Sequence, residues 1–177
     1  MTACSRAGFT LIELLVVISI IGLLSSAVLT SMQSAQFSAQ YAVAEQEMRL
    51  IADTMILAGD SFAPILSITG DSCTMCTCRD ASVVSGVDLR TVEDDSPCMD
   101  RWRTSLTAIT DDSPLINNPE QILRDPWGSP YLLDENESEF SDDPCRADWL
   151  RTVGPDGEYG TAADFVIRLP FRTAECR

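Results

Sequence analysis

The apolar residues of the chain are concentrated in an N-terminal segment that is nearly free of charge. Residues 9–29 contain one ionisable side chain, that of Glu13, and are otherwise apolar or small. A helix of about 20 such residues spans roughly 30 Å, which is the thickness of a bilayer core. A carboxylate inside a membrane helix costs roughly 2.5–3.5 kcal/mol on insertion scales. The pattern therefore predicts a membrane-spanning helix in which Glu13 has a function.

The next segment, residues 31–57, has the pattern of an amphipathic helix. It contains no proline and no glycine, and its apolar residues recur at spacings of three and four, which places them on one face. These residues are Phe37, Tyr41, Ala44, Met48, Ile51 and Met55. We expect this face to pack on a globular head, because the pattern is short for a coiled coil. Gly59 is expected to end the helix, so that one helix covers residues 9–58.

The start of the apolar segment carries a motif. The sequence Gly8-Phe9-Thr10-Leu11-Ile12-Glu13-Leu14-Leu15-Val16-Val17, which follows a polar leader of residues 1–8, resembles the class III signal of type IV pilins and type II secretion pseudopilins. The resemblance implies cleavage between Gly8 and Phe9 by a membrane-embedded prepilin peptidase, followed by N-methylation of Phe9. Glu13 lies one helical turn beyond the new α-amine. In a filament, Glu13 of one subunit is expected to neutralise the Phe9 amine of a neighbour.

Two simpler interpretations of this segment stay open. A secretory signal peptide fits less well, because no Ala-x-Ala-like cleavage site follows the apolar run. An ordinary membrane anchor with a tolerated acid near its end is the other alternative.

The C-terminal third predicts a small sheet. Asn118 and Pro119 have the pattern of a helix start, and residues 131–133, 149–153 and 165–169 have the pattern of strands. We expect these strands to form an antiparallel sheet packed on the stem helix. The segment Asp125-Pro126-Trp127-Gly128-Ser129-Pro130-Tyr131 resembles the signature of the major, G-type pseudopilins of type II secretion.

Together the two resemblances imply an α+β fold of the type IV pilin kind. A long N-terminal helix would pack on a small antiparallel sheet, with a Cys-rich loop region between them. The expected division is a leader at residues 1–8, a transmembrane and polymerisation helix at 9–30, an amphipathic stem at 31–58 and an extracytoplasmic head at 59–177.

Residues 60–114 show weak periodicity, and we expect a loop region with short strands at 83–84 and 87–92. Cys4 lies in the leader, and six cysteines follow it: Cys73, Cys76, Cys78, Cys98, Cys145 and Cys176. An even number in an oxidising compartment predicts three disulfides. We expect the clustered cysteines to pair with distant partners, although the pairing stays open. A zinc site formed by Cys73, Cys76, Cys78 and Cys98 is the alternative. A redox-active Cys-x-x-Cys is less favoured, because no βαβ pattern surrounds it.

The last two predicted strands are joined by an acidic, glycine-rich loop at residues 154–164. Glycines allow backbone carbonyls to turn towards a calcium ion, although the spacing is not that of an EF-hand. The loop resembles the calcium loop of G-type pseudopilins, which implies Asp156 and Asp164 as calcium ligands. A second acidic run contains Asp134 and Glu137, which we expect to face the loop as further ligands. The alternative is a solvated hairpin turn.

The composition of the chain argues against two classes of function, nucleic-acid binding and catalysis. The formal charge is −15, every basic residue is arginine, and histidine is absent, so direct nucleic-acid binding is not expected. No phosphate loop or nucleophile elbow is present, and we interpret the chain as a structural protein, the alternative being a membrane-anchored, metal-dependent enzyme.

The resemblance implies the cellular context. It places the chain in the inner membrane with a single span and with its head in the periplasm or outside the cell. The implied partners are further copies of the chain, minor pilins or pseudopilins, a prepilin peptidase/N-methyltransferase and an inner-membrane assembly platform. The two filament types that fit are a secretion pseudopilus and a surface pilus for adhesion, motility or DNA uptake.

Overall fold

The computed structural model describes residues 9–59, 62–111, 113 and 115–177. The chain divides between Ala39 and Gln40 into two compact units. In the N-terminal unit, residues 11–39 are helical, and the C-terminal unit contains the rest of that helix, the other helices, the sheet and the disulfides.

Along the chain, the α-helices lie in the first two thirds and the strands lie in the last third. The helices are α1 (Leu11–Leu57), α2 (Ile65–Thr69), α3 (Cys76–Ser85) and α4 (Pro97–Thr110), and the strands are β1 (Leu132–Asp134), β2 (Trp149–Thr152) and β3 (Phe165–Arg168). Short 3₁₀ helices lie at Leu89–Thr91, Pro119–Ile122 and Gly154–Asp156. The single long helix, the helix-cap role of Asn118 and the three strands agree with the sequence patterns.

The sheet is antiparallel, with strand order β1-β2-β3. Leu133 on β1 lies opposite Leu150 on β2, which in turn lies opposite Ile167 on β3. The Leu133 and Leu150 side chains are fully buried, whereas Ile167 is half-buried. This face of the sheet therefore contributes to the core, and Leu132, on the opposite face of β1, is buried as well.

The core of the C-terminal unit joins one face of α1 to α4 and the sheet. On α1, Met48, Ile51 and Met55 are buried at positions predicted by the amphipathic pattern. From α4 the core receives Met99, Trp102, Leu106 and Ile109, and from the sheet Leu132, Leu133 and Leu150. The fold is thus α+β, a long N-terminal helix with a small antiparallel sheet, as predicted.

Residues 60–114 carry disulfides as expected, but they are more helical than the weak periodicity predicts, and the two expected short strands are wrong. This stretch forms α2, α3 and α4, and the expected strand at residues 83–84 lies inside α3. The expected strand at residues 87–92 is the site of the 3₁₀ helix Leu89–Thr91. The physical reason is that α4 has a strong start signal: the hydroxyl of Ser96 accepts a hydrogen bond from the Met99 amide, and Pro97 occupies the first turn.

Candidate functional site

The first candidate site is the beginning of α1, where Thr10 and Glu13 cap the helix reciprocally. The Glu13 carboxylate accepts hydrogen bonds from the Thr10 amide at 2.9 Å and from the Thr10 hydroxyl at 2.7 Å. In return, the Thr10 hydroxyl accepts one from the Glu13 amide at 3.3 Å. This is the geometry of a capping box. Phe9 immediately precedes it and is 80% exposed, while Gly8 lies outside the described residues.

The exposed surface of α1 between Leu11 and Leu24 is mostly apolar. Exposed side chains include Leu11, Ile12, Leu14, Leu15, Ile18, Ile21, Leu23 and Leu24. The hydroxyls of Ser19 and Ser26 donate to the carbonyls of Leu15 and Leu23, each at 2.8 Å, which satisfies these donors within the helix. By length and composition α1 can cross a membrane, with an 18-residue stretch of mean hydropathy 2.5. Such a surface suits lipid or other apolar helices.

The second candidate site is the turn that contains Asp125 and Trp127. The buried Asp125 carboxylate accepts hydrogen bonds from the amides of Trp127 (3.0 Å) and Ser129 (2.9 Å) and from the Thr152 hydroxyl on β2 (2.5 Å). Burial raises the pKa of Asp125, and these hydrogen bonds oppose that effect. Asp125 therefore closes the turn and ties it to the sheet.

The same turn is attached to the part of α1 that belongs to the C-terminal unit. The ring of Trp127 meets that of Tyr41 edge to face, with centroids 4.8 Å apart. The Gln40 amide donates to the Pro126 carbonyl at 3.3 Å. The fully buried Tyr131 donates its hydroxyl proton to the Glu47 carboxylate at 2.5 Å, and burial raises the pKa of Glu47. The turn thus connects helix and sheet.

The third candidate site is the acidic loop of residues 154–164. The Thr161 hydroxyl donates to Asp156 at 2.7 Å and lies 3.4 Å from Asp164. Asp164 also accepts the Gly160 amide at 2.9 Å and pairs with the Arg151 guanidinium at 2.6 Å. The loop therefore brings Asp156 and Asp164 to a shared hydroxyl, but an arginine already neutralises Asp164.

Glu137, in the second acidic run, forms hydrogen bonds with the C-terminal segment of the chain. The Glu137 carboxylate is buried and accepts the amides of Arg172 and Thr173 and the Thr173 hydroxyl, at 2.7–3.1 Å. Asp134 ends β1 opposite Trp149. Across the described ranges 9–59, 62–111, 113 and 115–177, no three His, Cys, Asp or Glu side chains are grouped to hold a metal ion.

The carboxylates of the loop and of the second acidic run therefore fit a calcium site poorly. The ion prefers six to eight oxygen ligands, and Glu137 is committed to the C-terminal segment while Asp164 is committed to Arg151. Calcium binding stays a prediction from the sequence.

Residues that the sequence did not suggest hold the acidic loop to the rest of the unit. Arg90 forms a two-pronged ion pair with Asp88 and donates to the Pro155 carbonyl at 2.5 Å. These hydrogen bonds lower the pKa of Asp88. Gly157 has a positive φ of 72°, and a Cβ there would collide with the Asp88 carboxylate. Close approach of the loop to Asp88 thus requires glycine.

The six cysteines in the described part of the chain form three disulfides: Cys73–Cys76, Cys78–Cys98 and Cys145–Cys176. The expectation that each clustered cysteine pairs with a distant partner is wrong for Cys73 and Cys76, which pair with each other. The reason is that Cys76 opens α3, so the chain turns within three residues and brings the two Cα atoms to 5.3 Å. All four cysteines of the alternative zinc site are consumed by disulfides.

Comparison with known proteins identifies one region. A family model described as the prokaryotic N-terminal methylation motif matches residues 4–29, a range that includes the Thr10–Glu13 capping box. No curated protein and no solved structure matches the chain. The motif, the apolar surface of α1 and the α+β fold together support a type IV pilin-like filament subunit anchored by one N-terminal helix.

Proposed function

We propose that the chain is the major pseudopilin of a type II secretion system, which polymerises in the inner membrane to drive protein export. The observation that carries the proposal is the methylation motif at residues 4–29, with Glu13 at the start of an exposed apolar helix. Processing would cut the chain between Gly8 and Phe9 and leave a methylated amine on Phe9.

The carboxylate of Glu13 would have one partner in the free subunit and a second partner in the filament. In the free subunit it accepts both hydrogen bonds from Thr10, which keeps it satisfied in an apolar environment. In the filament the Phe9 amine of a neighbour would approach the same carboxylate and set the axial register. Partners of this step are further copies of the chain, minor pseudopilins, the prepilin peptidase and the assembly platform.

The turn at residues 125–131 supports a pseudopilin in particular. Its contacts through Trp127–Tyr41 and Tyr131–Glu47 fasten the sheet to α1. A push on the stem helix would therefore be transmitted to the head, as a fibre that drives export requires.

A surface pilin is the second candidate. The observation that favours it is the folded insertion of α2, α3 and α4 between α1 and the sheet, in which Cys78–Cys98 links α3 to α4 and Cys73–Cys76 closes the turn at the start of α3. An enlarged, cross-linked head suits a fibre exposed outside the cell. Deleting the gene distinguishes the candidates, because loss of exported proteins from the culture medium supports a pseudopilin, whereas loss of surface filaments with normal export supports a pilin.

The central experiment is Glu13→Ala in cells that contain the processing enzyme. The variant removes a costly charge, so membrane insertion should be unchanged, but a neighbour's Phe9 ammonium would lack its partner, so filament yield should fall at least tenfold. Filaments are counted by electron microscopy of sheared cells, and mass spectrometry checks that the mature chain begins at methylated Phe9.

The matched control is Glu45→Ala, which removes a half-exposed acid from the same helix together with its i,i+4 ion pair to Arg49. Its filament yield should match the wild type. Normal yield from Glu13→Ala subunits alone would contradict the proposed pairing. Retention of all 177 residues by the wild type would contradict the processing step.

A further inference from the structure

We propose that Arg151 supplies the cation of the acidic loop, so that the loop of residues 154–164 is ordered without a divalent metal ion. The inference concerns the head alone and holds for either kind of filament.

The ion pair between Arg151 and Asp164 occupies a carboxylate that a calcium ion in this loop would have to bind. The Arg151 guanidinium donates to one oxygen of Asp164 at 2.6 Å, and the Gly160 amide donates to the same oxygen at 2.9 Å. The other Asp164 oxygen faces the Thr161 hydroxyl at 3.4 Å. The guanidinium of Arg151 and the amide of Gly160 thus both donate to this carboxylate, an arrangement that stabilises an anion without a metal ion.

Burial makes this pair stronger than one on an open surface. The side chain of Asp164 is 6% exposed and that of Arg151 is 22% exposed, so solvent screens their attraction weakly. The ring of Tyr159, which belongs to the loop, covers the guanidinium with its centroid 4.5 Å away. Arg151 is therefore held by the loop through a charge and through an aromatic face.

The position of Arg151 explains how one side chain can fix the loop. It lies on β2, opposite Val166 of β3, and Asp164 immediately precedes β3. The ion pair thus joins the middle strand to the end of the loop, and sets where the edge strand begins. An ion at Asp164 would first have to displace this guanidinium from a nearly buried carboxylate.

The remaining loop contacts also come from the chain itself. Arg90 donates to the Pro155 carbonyl, the Leu89 amide donates to the Gly157 carbonyl at 2.9 Å, and the Tyr159 amide donates to the Ser82 hydroxyl at 3.1 Å. Arg90 also experiences the charges of Asp156 and Glu158, which raise its pKa after the larger effect of Asp88. Arg151 therefore pairs with Asp164, while Arg90, whose ion pair is with Asp88, lies within electrostatic reach of Asp156 and Glu158.

The test is thermal unfolding of the full chain in detergent micelles, followed by near-ultraviolet circular dichroism. All three tryptophans lie in the C-terminal unit, so this signal reports the head. The wild-type midpoint should be equal, within about 1 °C, in millimolar calcium and in excess chelator. Arg151→Gln should lower it by roughly 4–8 °C, and Arg151→Lys, which keeps the charge, should recover part of the loss.

Arg168→Gln is the matched control, because Arg168 lies on the adjacent strand and covers the Trp149 ring at the same 4.5 Å outside the acidic loop. Its midpoint should fall by less than about 2 °C. Hydrogen exchange adds a local measurement: residues 156–164 should exchange faster in Arg151→Gln than in Arg168→Gln. A calcium-dependent rise of the wild-type midpoint would overturn the inference, and so would equal effects of the two variants.

Discussion

At the scale of single residues, the most informative side chain outside the loop is the buried carboxyl of Glu135. It accepts the Thr74 amide at 2.9 Å and the Thr74 hydroxyl at 2.5 Å, and that hydroxyl lies 2.9 Å from the Ser105 hydroxyl. Burial raises the pKa of Glu135 to about 7, against the lowering effect of its hydrogen bonds. Asp71 adds a smaller upward effect, and Asp71 is itself paired with Arg101 at 2.7 Å.

This shift predicts that the head loses stability as the pH rises towards neutrality. Because the folded pKa lies above the unfolded value of 4.5, the native state holds the proton in this window and the unfolded state does not. The free energy of unfolding should therefore fall between pH 4.5 and about 7, by up to about 1.4 kcal/mol per pH unit from this group. Urea unfolding at a series of pH values measures the slope.

Glu135→Gln identifies the source of the slope. An amide keeps an acceptor for the Thr74 amide but does not titrate, so most of the slope between pH 6 and 7 should disappear. Burial also raises the pKa of Asp148, to about 6, and that contribution should persist below pH 6. An unchanged slope above pH 6 in Glu135→Gln would show that another group titrates there.

At the scale of elements, the turn of residues 125–131 connects α1 to the sheet, and one of its contacts with α1 is the Tyr131–Glu47 hydrogen bond at 2.5 Å. Tyr131→Phe keeps the buried ring but leaves a half-buried carboxylate without its donor, which should cost about 1.5–3 kcal/mol of unfolding free energy. Glu47→Gln should cost less, because the neutral amide tolerates burial better.

A double-mutant cycle isolates this contact from other effects of the two substitutions. Urea unfolding of both single variants and of the double variant should give a coupling energy of at least about 1 kcal/mol between Tyr131 and Glu47. Tyr159→Phe, which removes a hydroxyl from the acidic loop, is a control that should show no coupling with Glu47→Gln. Additive effects at Tyr131 and Glu47 would contradict the role of this hydrogen bond.

The long helix and the strands were predictable because their signals are periodic and local. Met48, Ile51 and Met55 occur at helical spacing without interruption, and the sequence alone places them in the core. The helices of residues 60–114 were missed because cysteines, serines and threonines obscure the pattern. For α4 the signal exists: after Ser96 and Pro97, the apolar residues Met99, Trp102, Leu106 and Ile109 recur at spacings of three and four.

The candidate site was predictable only where its chemistry is local in sequence. Glu13 and Thr10 interact within one helical turn, and the motif around them is contiguous. The partners of Asp164 and Glu137 lie 13 and 35 residues away, at Arg151 and Arg172. No pattern in the sequence connects these pairs, because only the fold brings them together.

At the scale of the whole molecule, each of the three disulfides connects a different pair of segments in the C-terminal unit. Cys73–Cys76 closes the turn that presents Thr74 to Glu135, Cys78–Cys98 joins α3 to α4, and Cys145–Cys176 ties the C-terminal segment to the loop before β2. Their sequence separations are 3, 20 and 31 residues. The disulfides therefore differ in how strongly each restricts the unfolded chain.

The separations predict how much stability each disulfide contributes. Loop-closure entropy gives about 2 kcal/mol for the shortest loop and about 3 and 4 kcal/mol for the longer two. Cys78 and Cys98 are buried, at 1% and 3% exposure, whereas Cys145 is exposed. Replacing Cys78 and Cys98 by alanine therefore also removes core contacts.

The loss of unfolding free energy should thus be smallest for the Cys73–Cys76 pair and largest for Cys78–Cys98, as urea unfolding of the three double-alanine variants would measure. A loss at Cys73–Cys76 as large as the others would mean that this disulfide acts mainly by holding Thr74 against Glu135, and not through loop closure.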